Sequence, residues 1–205
     1  MKHAKGPFMS LFVIILAAAL SAMSCGDDGP STPEGNDTIP DGPPGPSDTS
    51  MIVDHSRCDI SSIPREAIQD AIDALVIAYG HTSHGSQLVT GMDSLAGFLD
   101  DELYRHSSDG SDNTLQLRDK AMPNDLGYSS WEPDTRAYLD AHPEVNVVIW
   151  SWCGQVADAT SGTIDQYLGL MSDLERDYPE VAFVYMTGHL TGDAPGANLF
   201  VRNQQ

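Results

Sequence analysis

Three short apolar runs, 75–78 (LVIA), 145–150 (VNVVIW) and 181–186 (VAFVYM), punctuate the second half of the chain. Near-continuous runs of branched and aromatic residues of this length predict strands covered on both faces. Helical spacing fills the intervals. Residues 63–74 place Ala67, Ile68, Ala71 and Ile72 on one side, with Pro64 near the start where a missing N–H does no harm. Residues 87–99 align Leu88, Met92, Leu95 and Leu99. A polar connection follows, then a short helix over 135–141. Residues 163–178 repeat the pattern with Ile164, Tyr167, Leu168, Met171 and Leu174, and 198–205 reads as the opening of another helix. Strands alternating with helices predict an α/β fold with a mainly parallel sheet between two helical layers. The loops that leave the carboxyl ends of the three strands then converge on one edge.

The first fifty residues follow different rules. Lys2, His3 and Lys5 precede an apolar run over 8–20, too short for a comfortable membrane span, and small residues lead up to Cys25. This is the pattern of a secretory signal. Residues 21–25 (SAMSC) resemble a bacterial lipobox, with Ala22 where Leu is usual, which makes Cys25 the expected lipidated first residue of the mature protein. Residues 26–50 are rich in Gly, Pro, Ser, Thr and Asp and hold almost no large apolar side chain. They cannot bury enough surface to offset the entropy of ordering, so a flexible tether is expected there. A single folded domain should occupy 51–205, exported, lipid-anchored at the bacterial cell envelope and held off the membrane by the tether.

Charge narrows the partners. The net charge of −20 lacks the Lys and Arg clusters that neutralise phosphates, which excludes nucleic acid and disfavours other anionic polymers. The acidic residues of the domain (Asp93, Asp100, Asp101, Glu102, Asp109, Asp112) are dispersed as on a solvated surface. The Asp109 to Asp112 stretch lacks the full spacing of a calcium loop. With Cys25 assigned to lipid, Cys58 and Cys153 remain; an oxidising compartment would permit them to pair, and sequence does not decide it. Cys153 as a nucleophile has no base beside it in WSWCGQ.

Chemistry concentrates at the three loops. The first strand runs into Gly80-His81-Thr82-Ser83-His84-Gly85, where a hydroxyl lies between two imidazoles just before a helix. Such a hydroxyl is a candidate nucleophile, although Ser83 or Ser86 could equally serve only as a helix cap. The second loop offers Gly154 and Gln155, and the third offers His189. Acyl transfer needs a nucleophile, an imidazole to take its proton and N–H donors facing the oxyanion, and all three kinds of group are at this edge.

The strand followed by His-x-Ser-x-Gly resembles the first block of the SGNH, or GDSL-like, hydrolase superfamily in a divergent form. The resemblance covers about residue 75 onward. It implies a flavodoxin-like three-layer α/β/α fold and a serine hydrolase acting on an ester, often a carbohydrate or lipid O-acyl group, without a cofactor. It implies Ser83 as nucleophile, with oxyanion or substrate contacts from Gly127, Gly154, Gln155, His81 and His84. Gln155 stands where the family has an asparagine. The family's Asp-x-x-His pair does not follow His189, so the resemblance implies that a last strand and helix are missing, or else that His189 is the base. The expected partners are an ester-bearing small molecule or glycan and, through the lipid, a membrane. Two other readings stay open. One is a non-catalytic carbohydrate- or small-molecule-binding lipoprotein on the same scaffold, with Trp131, Trp150 and Trp152 lining a cleft. The other is a metal site from His81, His84 and His189.

Overall fold

The computed structural model describes residues 52–54, 56, 58–189 and 197–204. The signal segment with Cys25 and the tether lie outside the described residues. In chain order the elements are α1 (Arg65–Ala74), β1 (Val76–Gly80), α2 (Ser86–Leu99), β2 (His106–Ser107), β3 (Leu115–Asp119), α3 (Trp131–Ala141), β4 (Val147–Trp150), α4 (Ser161–Asp177), β5 (Ala182–Val184) and α5 (Asn198–Asn203). The strands form one parallel sheet in the order β2-β3-β1-β4-β5. Helices cover both faces. Ile68, Ala71 and Ile72 of α1 and Leu88 and Met92 of α2 pack with Ile77, Tyr79, Leu117 and Ile149 on one side. On the other, Trp131 and Leu139 of α3, Ile164, Tyr167, Met171 and Leu174 of α4 and Leu199 of α5 pack with Ala78, Val148, Trp150 and Phe183. The protein is therefore a three-layer α/β/α domain.

Local sequence explains most of these boundaries. β4 is buried at every position, which its unbroken apolar run requires. α4 starts with a capping box in which the Thr160 and Thr163 side chains satisfy each other's backbone N–H groups. α2 ends at Asp100 in the left-handed region (φ 53°), and Asp101 then turns back to cap the next short turn and to pair with Arg65.

Two strands lie inside what reads as a polar connection. β3 alternates, with Leu115 and Leu117 buried and Gln116 and Arg118 half-buried. Its period of two was there to be read, but at the side of the sheet the outward-facing layer tolerates polar side chains and no apolar run marks the strand. β2 is only two residues long and forms by pairing with β3. α3 begins four residues earlier than its spacing predicts, at the buried Trp131, because Pro133 falls in the first turn, where no N–H partner is needed.

Strand order fixes where a ligand could sit. From β1 the chain crosses to β2 and returns through β3 on one side, then passes to β4 and β5 on the other side of β1. At such a reversal the crossovers leave the sheet in opposite directions, opening a crevice beyond the carboxyl ends of β1 and β4.

Candidate functional site at the carboxyl edge of the sheet

Gly80, the last residue of β1, lies so close to the indole of Trp150 that an added Cβ would sit 2.5 Å from it. This contact seats β1 tightly against β4 and starts the loop. His81 turns inward: its side chain is fully buried, with Nε2 2.5 Å from Asp119 Oδ1 and Nδ1 2.7 Å from the Thr82 carbonyl oxygen. Each ring nitrogen faces an acceptor oxygen, so this imidazole ties the loop to the end of β3. Beneath it the buried Tyr79 hydroxyl lies 2.5 Å from Ser151 Oγ, and burial pushes the phenol up to about 12 even though Ser151 opposes the shift.

The next residues build a bridge across the crevice. The Thr82 hydroxyl donates to Asp125 Oδ2, and Gln155 Nε2 donates to both Asp125 Oδ1 and the Leu126 carbonyl. Asp125 is buried. One carboxylate thus collects donors from the loops after β1 and β4, and those bonds replace the water that burial strips from it. Gly127 follows at φ 92°, and a Cβ there would approach Gln155 Cγ at 3.1 Å, so the turn needs glycine for conformation and for space.

Ser83 is exposed, and its hydroxyl has no hydrogen-bond partner among the described residues. It borders a polar crevice of about 480 Å³ with Thr82, Ser86, Lys120 and Asn124. Neither Ser83 nor Ser86 caps α2. Gly85 occupies the cap position without a side-chain bond, and Ser86 Oγ instead donates to the Thr82 carbonyl at 3.3 Å. The punctuation reading of these serines is therefore set aside.

His84 points the other way, to Cys153. Its Nδ1 lies 3.1 Å from Cys153 Sγ, and its ring stacks on that of His189, with centroids 4.0 Å apart and planes 14° from parallel. Burial alone would push the Cys153 thiol up; hydrogen bonds from the Thr82 hydroxyl, the His84 ring and the backbone N–H groups of His84 and Gly154 outweigh it and bring the thiol down to about 6. The single Thr82 proton is aimed at Asp125, so the ring and the two backbone donors are the groups that favour the thiolate. Burial, followed by the neighbouring His84, lowers His189, and its Nδ1 has no partner among the described residues.

The structure therefore brings His84, His189, Gln155 and Gly154 together with Thr82, Asp125 and Cys153, and places Ser83 on the outer side of the same loop. No hydrogen bond joins Ser83 to His189. His81 and Gln155 spend their donors on loop anchoring. Sequence reasoning passed over Asp125, and it found no imidazole beside Cys153 because the one that meets it lies 69 positions away in the chain. Trp131 and Trp150 correct the idea of a tryptophan-lined cleft. Both are buried in the core, where Trp150 Nε1 donates to Thr135; Trp152 alone of the three lines a cavity, one of about 150 Å³, where it meets the edge of Tyr167. Among the described residues no group of three or more His, Cys, Asp or Glu side chains is placed to hold a metal ion, because His81 faces Asp119 while His84 and His189 stack. Cys58 and Cys153 are both free thiols. Asp109 accepts from the Ser107 hydroxyl and the Ser111 N–H, which closes its own turn. No helix among the described residues is long and apolar enough to cross a membrane. No family model, curated protein or solved structure matches the chain.

Proposed function

We propose that this chain is an acyl-ester hydrolase, exported to the bacterial cell envelope, anchored by lipid at Cys25 and spaced by its tether. One observation carries the reading: loops from β1, β4 and β5 bring nucleophile-bearing side chains and a stacked pair of imidazoles to one rim of a parallel sheet. Attack on a carbonyl needs a nucleophile, a proton acceptor within reach and N–H donors for the oxyanion. The Gly127 and Gly154 backbones at this rim are the donors the resemblance calls for. The resemblance to SGNH hydrolases assigns attack to Ser83, whose hydroxyl is open to substrate, and proton transfer to His189. A charge of −20 favours a neutral ester, such as an O-acyl group on a glycan or small molecule, over an anionic one.

Turnover of p-nitrophenyl acetate and butyrate by the full chain tests the proposal, together with labelling by a fluorophosphonate. The expected result is steady release of p-nitrophenol above the rate in buffer. Absence of both turnover and acyl transfer, with neutral aryl and sugar O-acetyl esters alike, would refute it.

A further inference from the structure

The hydroxyl and the thiol at this rim differ in what surrounds them. A serine hydroxyl is a weak nucleophile at neutral pH unless a base removes its proton. Ser83 is exposed and no imidazole bonds to it. Cys153 is half-buried, and His84 Nδ1 lies 3.1 Å from its sulfur. The backbone N–H groups of His84 and Gly154 face the same atom. Beneath His84 lies His189, stacked at 4.0 Å, and burial disfavours the charged form of the His189 ring. Two loops separated by 69 positions thus meet as a nucleophile and a base, the pairing that activates a thiol.

We infer that Cys153, paired with His84, is the nucleophile of this rim and carries the acyl group as a thioester. The inference rests on the hydrolase reading and names the atom that executes it. The proton of Cys153 passes to His84, and a sulfur electron pair attacks the ester carbonyl carbon. A C–S bond forms, the carbonyl π pair moves to oxygen, and on collapse the C–O bond to the alcohol breaks. His84 returns its proton to the leaving alkoxide. His84 then takes a proton from water, the hydroxide attacks the thioester, the C–S bond breaks, and the acid leaves as thiolate and imidazolium are restored. No redox partner is needed. Ser83, on the outer side of the same loop, borders the polar crevice with Lys120 and Asn124 and is placed to meet the alcohol part of the substrate.

The test pairs acyl trapping with alkylation. The full chain is quenched in acid during turnover of p-nitrophenyl butyrate and the acyl adduct is located by peptide mass spectrometry. Iodoacetamide modification of Cys153 is followed across roughly pH 5 to 9 beside an unstructured cysteine peptide. The adduct is expected on Cys153, and Cys153→Ala is expected to lose at least about 10³-fold in turnover while keeping its circular dichroism. The alkylation rate should rise with a midpoint below that of the peptide and level off above it. At pH 6 it should be several-fold faster than in the peptide, since the larger thiolate fraction outweighs the lower nucleophilicity of a more acidic thiol. His84→Gln should move the midpoint upward. An adduct on Ser83, turnover that survives Cys153→Ala, or an alkylation midpoint in wild-type protein at the peptide's value would overturn the inference and leave the hydrolase reading standing. Absence of any acyl adduct and any turnover would overturn both.

Discussion

The two ends of the sheet treat polar side chains differently. At the amino end one residue, Asn146, completes the framework: its Oδ1 accepts from the Val76 N–H at 2.9 Å and its Nδ2 donates to the Ala74 carbonyl at 2.7 Å. Its own backbone N–H reaches Val76 O, and its carbonyl accepts from Ala182 N. Side chain and backbone together thus finish the edges of β1, β4 and β5. At the carboxyl end the polar groups bond mainly to one another: Thr82 and Gln155 to Asp125, His81 to Asp119, His84 to Cys153. A side chain that closes a backbone bond serves the fold. Side chains that close bonds among themselves fix the loops relative to one another, and this difference sets the carboxyl rim apart from the amino end.

The comparison can be broken most forcefully at Asp125. Asp125→Ala leaves the Thr82 hydroxyl and the Gln155 amide without their buried acceptor, and should lower the unfolding free energy by about 3 kcal/mol, read from the urea midpoint. If the loss is negligible, the bridge between the loops is not a structural bond. At the opposite end, Asn146→Ala strands one N–H and one carbonyl at partly solvated positions, so about 1.5 kcal/mol should be lost. The pH profile of Cys153 alkylation should be unmoved by this change, because the side chain serves only the amino edge; a shift in that profile would erase the division between the two ends. The smallest expected effect is that of Gly127→Ala. Positive φ and a Cβ at 3.1 Å from Gln155 Cγ should cost about 1 kcal/mol in thermal or urea unfolding. An unchanged or raised stability would mean the turn relaxes freely and does not constrain Gln155.

Acid should quench the thiol chemistry in a defined direction. Hydrogen bonds from the His84 ring and the His84 and Gly154 N–H groups lower the Cys153 thiol against burial, so the thiolate is present above its lowered value and is lost as pH falls through it. A serine acting through His189, whose imidazole is itself lowered, would lose activity over a similar acid range, so the site of the acyl adduct and the turnover of Cys153→Ala are what separate the two nucleophiles.

Legibility in the sequence varied with the physics of each element. β4 and β5 were readable because strands buried on both faces must be apolar along their length. β3 was missed because only one of its faces meets the deep core, and Gln116, Arg118 and Asp119 disguise the alternation of Leu115 and Leu117. The convergence of the three loops followed from strand-helix alternation alone. Which side chains meet there did not. Adjacent residues of the first loop diverge, with Thr82 and His84 turned toward Asp125 and Cys153 while Ser83 faces outward. Spacing of one residue in an irregular loop carries no period from which such directions could be read.

Hydrophobic pattern by itself determined the three-layer α/β fold and the edge of the sheet at which the loops after β1, β4 and β5 meet. Burial is a sum over many residues, so its pattern survives local error. Only the tertiary structure decided that Asp125 gathers the loops, that His81 anchors the first of them and that His84 meets the Cys153 thiol. Those facts depend on angstrom-scale distances between residues far apart in the chain, set by how β1 seats against β4 and not by any motif either strand carries alone.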